Sequence, residues 1–568
     1  MRADPRVEDF IGDWRIAYFS MEVALRSEIP TYSGGLGVLA GDVVRSAADL
    51  GLPLVTVTLV SRAGYFRQEL DAEGRQRELE DPWDPGQWAV PLDAKIGVPV
   101  EGRTVWVGGW LYVLVGHTGG RQPVVLLDTD LPENHPDDRR LTHHLYGGDE
   151  SYRIKQEIVL GIGGVRMLRA VDFHIREYHL NEGHSAFLTL ELLRTLARPE
   201  ENLRPGEPRY DFPAVRALCN FTTHTPVEAG HDQFSYELVT RILGEAVDLA
   251  TLKMLAGKER LNMTRLALSL SEYVNGVAKS HAEVSQLMFP GYVVRAITNG
   301  VHPFTWTAPP WRALYDRHIP GWGYEPELLR RVTCCVDDDE IWAAHERSRQ
   351  DLIACIAERT GVAFDPARPI IGLARRMTAY KRIALLFEDE AELLAIAREW
   401  PFQIVIAGKA HPRDEAGKAT IAALHRTMRQ LGDRLPMAFL PDYDMDLALS
   451  LVSGSDLWLN TPLRPLEASG TSGMKAAFNG VPSLSVLDGW WVEGCIEGVT
   501  GWAIGDAGSS ADGDAASLYQ KLRERVLPLY HQDRAGWIAV MRGAIGQNAA
   551  FFHSHRMMRR YAAEAYIV

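Results

Sequence analysis

Short, near-continuous apolar runs alternate with longer stretches of helical period along most of the chain. Ile16–Met21 (IAYFSM) and Leu54–Val60 (LVTVTLV) have strand length, separated by a glycine turn and a helix-like stretch ending in SAADLG. Val105–Gly116 and Pro123–Leu127 read as a hairpin or meander inserted in that half. Ser151–Ala170 repeats its apolar residues with helical spacing (Ile154, Ile158, Val159, Ile162, Val165), and a strand-like HIREYHLN leads into the helix SAFLTLELLRTLA.

The second half is more regular. Pro369–Leu373, Gln403–Ala407, Met437–Leu440, Leu457–Leu459 and Pro482–Val486 are apolar throughout, with helical patterns such as IALLFEDEAELLAIAREW and ATIAALHRTMRQL between them. Strands of that kind belong to a parallel sheet covered on both faces, so each half reads as a Rossmann-type doubly wound domain. Ligands of such sheets lie beyond the carboxyl ends of the strands. The Pro/Trp-rich Pro303–Trp322 is the natural inter-domain passage. The expected division is a first domain over 1–303, a second over 304–533, and a helical segment over 534–568 that packs back on the first. No internal repeat or low-complexity tract interrupts this pattern.

A chain of 568 residues suits two large domains, and 46% apolar with 24% charged residues excludes a disordered or fibrous protein. Its 60 basic against 74 acidic side chains leave a net charge of −14, which argues against a nucleic-acid partner while leaving small anions open to a local basic pocket. The five cysteines (Cys219, Cys334, Cys335, Cys355, Cys495) form no framework, and neither a secretory signal nor an 18-residue apolar run is present. A cytoplasmic protein without membrane spans is expected.

Three segments carry candidate chemistry. Tyr32–Gly37 (YSGGLG) between a strand and a helix could present backbone N–H groups to an anion, although an isolated GGLG is also an ordinary glycine turn. Arg375, Arg376, Lys381 and Arg382 follow directly on the strand PIIGL, where phosphate oxygens could be bound; a solvated basic helix start is the alternative, less favoured because cations there would oppose the helix dipole. Pro465–Gly480 (PLEASGTSGMKAAFNG) packs Ser469, Gly470, Thr471, Ser472 and Gly473 ahead of Lys475. It could hold a phosphate as a nest and keep a lysine of lowered pKa for Schiff-base chemistry, or be a flexible loop before a surface lysine. His553-Ser554-His555 is expected at the surface, since side chains two apart on a helix diverge. Asp337–Glu340 is expected to begin a helix, and Trp490-Trp491 to be either a sugar platform or a buried aromatic pair.

Read in order with HLNEGHSAF (His179–Phe187), FTTHTPVEAGHDQF (Phe221–Phe234) and ITNGVHPFTW (Ile297–Trp306), these segments resemble the α-glucan phosphorylases, specifically their short prokaryotic branch. The resemblance runs from about Ile16 to about Asp506, and EASGTSGMK is its most specific part. It implies an α/β fold of GT-B architecture, two Rossmann-like domains facing across a deep cleft. It implies retaining phosphorolysis of α-1,4-glucans or maltooligosaccharides by inorganic phosphate to α-D-glucose 1-phosphate, with the phosphate of pyridoxal 5′-phosphate as proton shuttle.

Carried onto this chain, the resemblance places pyridoxal phosphate on Lys475. Thr471, Ser472, Gly473 and Arg375 would cradle its phosphate, with Trp306 and Tyr443 lining the pocket. Arg376, Lys381 and the Gly34–Gly35 loop would bind substrate phosphate. Glu467, Ser469 and Gly470 would meet the glucosyl 3- and 4-hydroxyls, Asn299 and His224 the 6-hydroxyl, with the His224 carbonyl near the anomeric carbon and His184 also facing substrate. No metal is implied, and a homodimer is compatible. Against long-chain members, Ser472 stands for glycine, Gly473 for asparagine, Arg375 for lysine and Asp444 for arginine. The leading MRADPRVEDFIGDWR holds no Ser, Thr or Tyr, so an enzyme without a phosphorylation switch there is expected. The rivals are a nucleotide-sugar-dependent glucosyltransferase of glycogen or starch synthase type, which lacks the cofactor lysine, a catalytically silent glucan binder, and a conventional pyridoxal enzyme of different fold.

Overall fold

The computed structural model describes residues 7–199, 201, 203, 204, 207, 209–244, 247–506 and 511–566. The first six residues of the leading segment, and the last two of the chain, therefore lie outside the described residues.

The first sheet has ten strands: β1 (Arg15–Ser20), β2 (Leu54–Leu59), β3 (Val90–Pro91), β4 (Ile96–Val100), β5 (Arg103–Val115), β6 (Arg121–Asp128), β7 (Ile175–Asn181), β8 (Cys219–Thr222), β9 (Tyr273–Gly276) and β10 (Arg295–Ala296). Their order is β10-β9-β8-β7-β1-β2-β6-β5-β3, with β4 on β5. Pairing is parallel from β10 to β6; the long β5 then returns antiparallel on β6, Gly108 opposite Asp128. This is the hairpin expected from the sequence. The helical stretch 150–170 is continuous but passes through a π segment at Val159–Gly163, which the period alone does not show.

The second sheet comprises β11 (Ile370–Ala374), β12 (Gln403–Ala407), β13 (Met437–Leu440), β14 (Leu457–Asn460), β15 (Ser483–Val486) and β16 (Gly501–Ile504). It is parallel throughout in the order β13-β12-β11-β14-β15-β16, the doubly wound arrangement whose switch point lies between β11 and β14. Every residue of β11 and β12 is buried, which is why these strands read as unbroken apolar runs. Asp338–Thr360 is a helix with three acids in its first turn. Trp306, Trp311 and Trp322 are buried in the core of this second lobe, so Pro303–Trp322 is a packed passage. Among the described residues no helix is long and apolar enough to cross a membrane.

The chain returns at its end to the first sheet. In the last helices Met557, Met558, Tyr561 and Tyr566 join the apolar cluster of Ile16, Tyr18 and Val43. The hydroxyl of Tyr566 bonds His179 Nδ1 at 2.6 Å, and that of Tyr561 lies 3.1 Å from Thr222 Oγ1. On the way, the outgoing and returning chains meet: Ser554 N–H donates to the Val301 carbonyl at 2.9 Å and Val301 N–H to the Phe552 carbonyl at 3.2 Å. Gly300 permits this, because a Cβ there would lie 2.2 Å from the His553 carbonyl carbon.

The surface expectation for His553 and His555 is overturned: both are fully buried. His553 precedes the helix Ser554–Tyr561 and caps it, its Nδ1 accepting from Arg556 N–H at 3.2 Å, so the two rings do not follow helical i, i+2 divergence. His555 Nδ1 donates to the Tyr324 carbonyl at 3.0 Å, and its Nε2 lies 3.4 Å from Asp49, which also bonds His302 at 2.8 Å. His302 Nδ1 accepts the Thr305 N–H at 3.1 Å, so its Nε2 is the donor to Asp49.

Candidate active site

Beyond β1 the chain turns through Glu22, a buried carboxylate that accepts from Ser33 N–H at 2.5 Å, Gly34 N–H at 3.2 Å and the Tyr146 hydroxyl at 2.9 Å. It braces the glycine loop from which α1 (Gly35–Asp49) starts. The first N–H groups of a helix lack intrahelical partners and the helix dipole adds positive potential, so the Gly35 end of α1 is suited to an anion. Arg376 reaches this loop from the other lobe, its Nη2 3.4 Å from Ser33 Oγ. Gly34 makes room, since a Cβ there would lie 2.8 Å from that nitrogen.

The other cations after β11 diverge. Arg375 turns back into its own lobe, donating to the Leu459 carbonyl, to the Lys381 carbonyl at 3.3 Å and to Thr461 Oγ1 at 3.4 Å; burial pulls its pKa down to about 10. Lys381 pairs with Glu467. Burial alone would depress the Lys381 ammonium, but Glu467 together with Tyr380 more than offsets this and holds its pKa above the usual lysine value. Arg382, at φ +44°, donates to the Thr461 and Pro462 carbonyls.

The loop after β14 supplies the opposite wall. Glu467 N–H donates to Asp488 at 2.9 Å; burial pushes the Asp488 carboxyl up to about 6 against its two backbone donors, with the Glu467 charge adding to the rise. Gly470 takes φ +81°, available to glycine without strain. Gly473 allows the Trp490 indole against the backbone, since a Cβ would lie 2.7 Å from it. Trp490 and Trp491 are both buried, which settles them as a packed pair. The short helix α2 (Ser472–Ala477) then carries Lys475, which is 7% exposed. Its Nζ sits 3.8 Å from the centre of the Trp306 ring, whose N–H is bonded to both oxygens of Asp42 at 3.0 and 2.9 Å. Burial, opposed by Asp42, brings the Lys475 amine down to about 8. Ser472 Oγ accepts from Trp458 at 3.0 Å and Thr471 offers its carbonyl to Lys475 N–H at 3.2 Å, while Tyr443 packs half-buried against the core of the second lobe.

The first lobe faces this wall with residues beyond β7 and β8. Glu182, at φ +73°, accepts from His224 N–H at 2.7 Å and Thr225 Oγ1 at 3.0 Å. His224 Nε2 bonds Asn181 Oδ1 at 2.7 Å, so that nitrogen carries the proton; burial lowers the ring to about 4 and keeps it neutral. His184 lies 3.4 Å from Asp232. Beside it opens a cleft of about 350 Å³ lined by Arg153, His231, Asp232, Phe234 and, from the other lobe, Arg413. His184 Nδ1, Asn299 Oδ1 and Ser469 Oγ are buried without a hydrogen-bond partner. Buried polar atoms are nearly always paired, so each of these orphans is a candidate ligand position.

Residues 227–500 match the family model described as carbohydrate phosphorylase. The maltodextrin phosphorylase of Thermococcus litoralis is 39% identical, covering 97% of this chain and 70% of that protein. The glycogen phosphorylases of Mycobacterium tuberculosis and Aquifex aeolicus are 37% and 34% identical over 97% of the chain, covering 70% and 86% of their own lengths. The chain belongs to the carbohydrate phosphorylase family. Its two facing α/β lobes are accordingly the GT-B architecture.

In this phosphorylase the segments singled out from sequence converge where the strands' carboxyl ends meet. Arg376 meets the Gly34 loop, Lys381 pairs with Glu467 beside Gly470, and Lys475 sits over Trp306, while the Arg375 guanidinium is engaged with its own lobe's carbonyls. Sequence reasoning missed Glu22, Asp42, Glu182 and Asp488. Each is a buried acid in an apolar or glycine-rich context, which is the signal that was available. The donor set fits pyridoxal phosphate: a buried amine of lowered pKa, an aromatic floor, and hydroxyl and N–H donors at the head of α2.

Proposed function

We propose that the protein is an α-1,4-glucan phosphorylase that cleaves maltooligosaccharides with inorganic phosphate, releasing α-D-glucose 1-phosphate with retention, and that it holds pyridoxal 5′-phosphate on Lys475. The observation that carries this reading is the Lys475 amine: buried, low in pKa and seated over the Trp306 ring, whose N–H is bonded to Asp42 of the helix that starts at the glycine loop. Thr471, Ser472 and Gly473 would hold the cofactor at the head of α2. Bound there, the cofactor supplies a phosphate whose second ionisation, at about 6, suits proton exchange with a neighbouring phosphate.

The chain's residues do the rest. Arg376 and the start of α1 hold substrate phosphate, and Lys381 supplies a further cation. These charges offset the repulsion between neighbouring phosphates. Glu467, Ser469 and Gly470 orient the glucosyl ring by its hydroxyls, and Asn299 and the neutral His224 serve the 6-hydroxyl. The reacting centre develops oxocarbenium character, and a phosphate on the same face stabilises that charge and leads to retention. The free cysteines support a cytoplasmic location.

The test has two arms. Borohydride reduction followed by peptide mapping should label Lys475. Phosphate-dependent release of glucose 1-phosphate should be found across a panel of maltooligosaccharides and glycogen. A label elsewhere, or glucan cleavage indifferent to phosphate, defeats the assignment.

A further inference from the structure

Asp42 lies two turns into α1, 1% exposed, in a helix whose neighbouring residues are nearly all apolar or small. A buried carboxylate is costly unless its partners compensate it, and here burial still holds the Asp42 carboxyl above the usual carboxylate range against the partners that stabilise its charge. Those facing it are the Trp306 indole N–H, bonded to both oxygens, the Arg45 guanidinium at 3.9 Å, the His302 backbone N–H and, across the indole, the Lys475 ammonium. The three groups Asp42, Trp306 and Lys475 come from α1, from the passage between the lobes and from α2. They stack in that order, with the cation over the ring face and the carboxylate at the ring's donor edge.

This order has an electrostatic logic. A ring face attracts a cation through its quadrupole. An indole that donates to a carboxylate is polarised toward the ring, and hydrogen-bonded chains of this kind strengthen one another in a medium of low dielectric. The carboxylate also fixes the ring plane, because rotating the indole would break both bonds to Asp42. We propose that Asp42 is a positioning residue for Lys475: acting through the Trp306 indole, it fixes where the amine sits and supplies the negative charge that the cofactor-bound nitrogen faces. This rests on the assignment of Lys475 as the cofactor lysine.

The experiment uses the enzyme as isolated with its cofactor, comparing the parent with Asp42→Asn and Trp306→Phe. Two quantities are read: the exchange rate of bound cofactor against radiolabelled pyridoxal phosphate, and the pH dependence of that exchange. Loss of the carboxylate should speed exchange about tenfold and move its pH midpoint down by about one unit, because a nearby negative charge favours the protonated nitrogen. Trp306→Phe keeps a ring but removes the donor that stabilises the Asp42 charge, which pushes an already raised carboxyl further toward its neutral form and so should shift the midpoint in the same direction; it serves if Asp42→Asn does not fold. A purely structural role would change the rate without moving the midpoint. Exchange within threefold of the parent, or an unmoved midpoint, overturns the proposal when borohydride still labels Lys475. A label on another lysine in the parent instead brings down the cofactor assignment beneath it.

Discussion

Replacing Gly34 with alanine should impair phosphate use selectively, by pushing a side chain on the other lobe. The backbone at Gly34 is extended, with φ −173°, so alanine fits it without strain. Its Cβ would stand 2.8 Å from Arg376 Nη2, 3.6 Å from Cζ and 3.7 Å from Nε. The terminal nitrogen must therefore retreat by roughly 0.7 Å to reach ordinary contact. A hydrogen bond to a charged group is worth about 1.5–3 kcal/mol. A flexible guanidinium recovers part of that elsewhere, leaving a loss of about 1–2 kcal/mol, or roughly 5- to 30-fold in phosphate KM. Initial rates against phosphate at saturating maltooligosaccharide measure it, with glucan KM as internal reference. The decisive comparison is a double-mutant cycle with Arg376→Ala. If Gly34→Ala acts through the guanidinium, it costs nothing further once Arg376 is gone. An unchanged penalty in the Arg376→Ala background would refute the steric argument.

Other perturbations follow from the same geometry. Lys381 and Glu467 form a pair whose side chains are 17% and 12% exposed, so Lys381→Ala and Glu467→Gln should couple by about 1–3 kcal/mol in urea unfolding; additive losses would mean the pair is not formed. With the Lys475 amine at about 8 in place of 10.5, cofactor-free protein at pH 7 should carry roughly 300-fold more neutral amine there than on an ordinary lysine, read as preferential acylation in peptide maps. His179 is buried between Tyr566 and Thr222 with its pKa lowered to about 3. The unfolded chain then binds more protons than the native one below about 6.5, so stability should fall as pH drops from there toward 3, and His179→Gln should flatten that slope in a melting series.

The second lobe was legible because its strands are buried on both faces, so β11 and β12 appear as unbroken apolar runs. Strand order was not, since nothing in PIIGL or LWLN says that these segments are neighbours at the switch point. At the site, residues close in sequence could be grouped, but not aimed: Arg375 and Arg376 are adjacent yet serve opposite lobes. Partners far apart in the chain were out of reach. Asp42 meets Trp306 only because α1 and the passage pack together, and Asp488 meets Glu467 only through the fold of the loop. His553 and His555 were misplaced because helical geometry was applied to a residue that caps the helix.

The side-by-side passage of outgoing and returning chain at Val301 and His553 also sets a timetable. Tyr561 and Tyr566 seal the first sheet beside His179 and Thr222, yet they lie roughly 270 residues beyond β10, the last strand of that sheet, which at roughly 5–20 residues per second amounts to about 15–55 s of synthesis. For that interval the nascent first lobe has all its strands but lacks the cover over Ile16, Tyr18 and Val43. Apolar surface left open in an incomplete chain is prone to aggregate, so the first half of the protein stays exposed to that hazard until the second half is made.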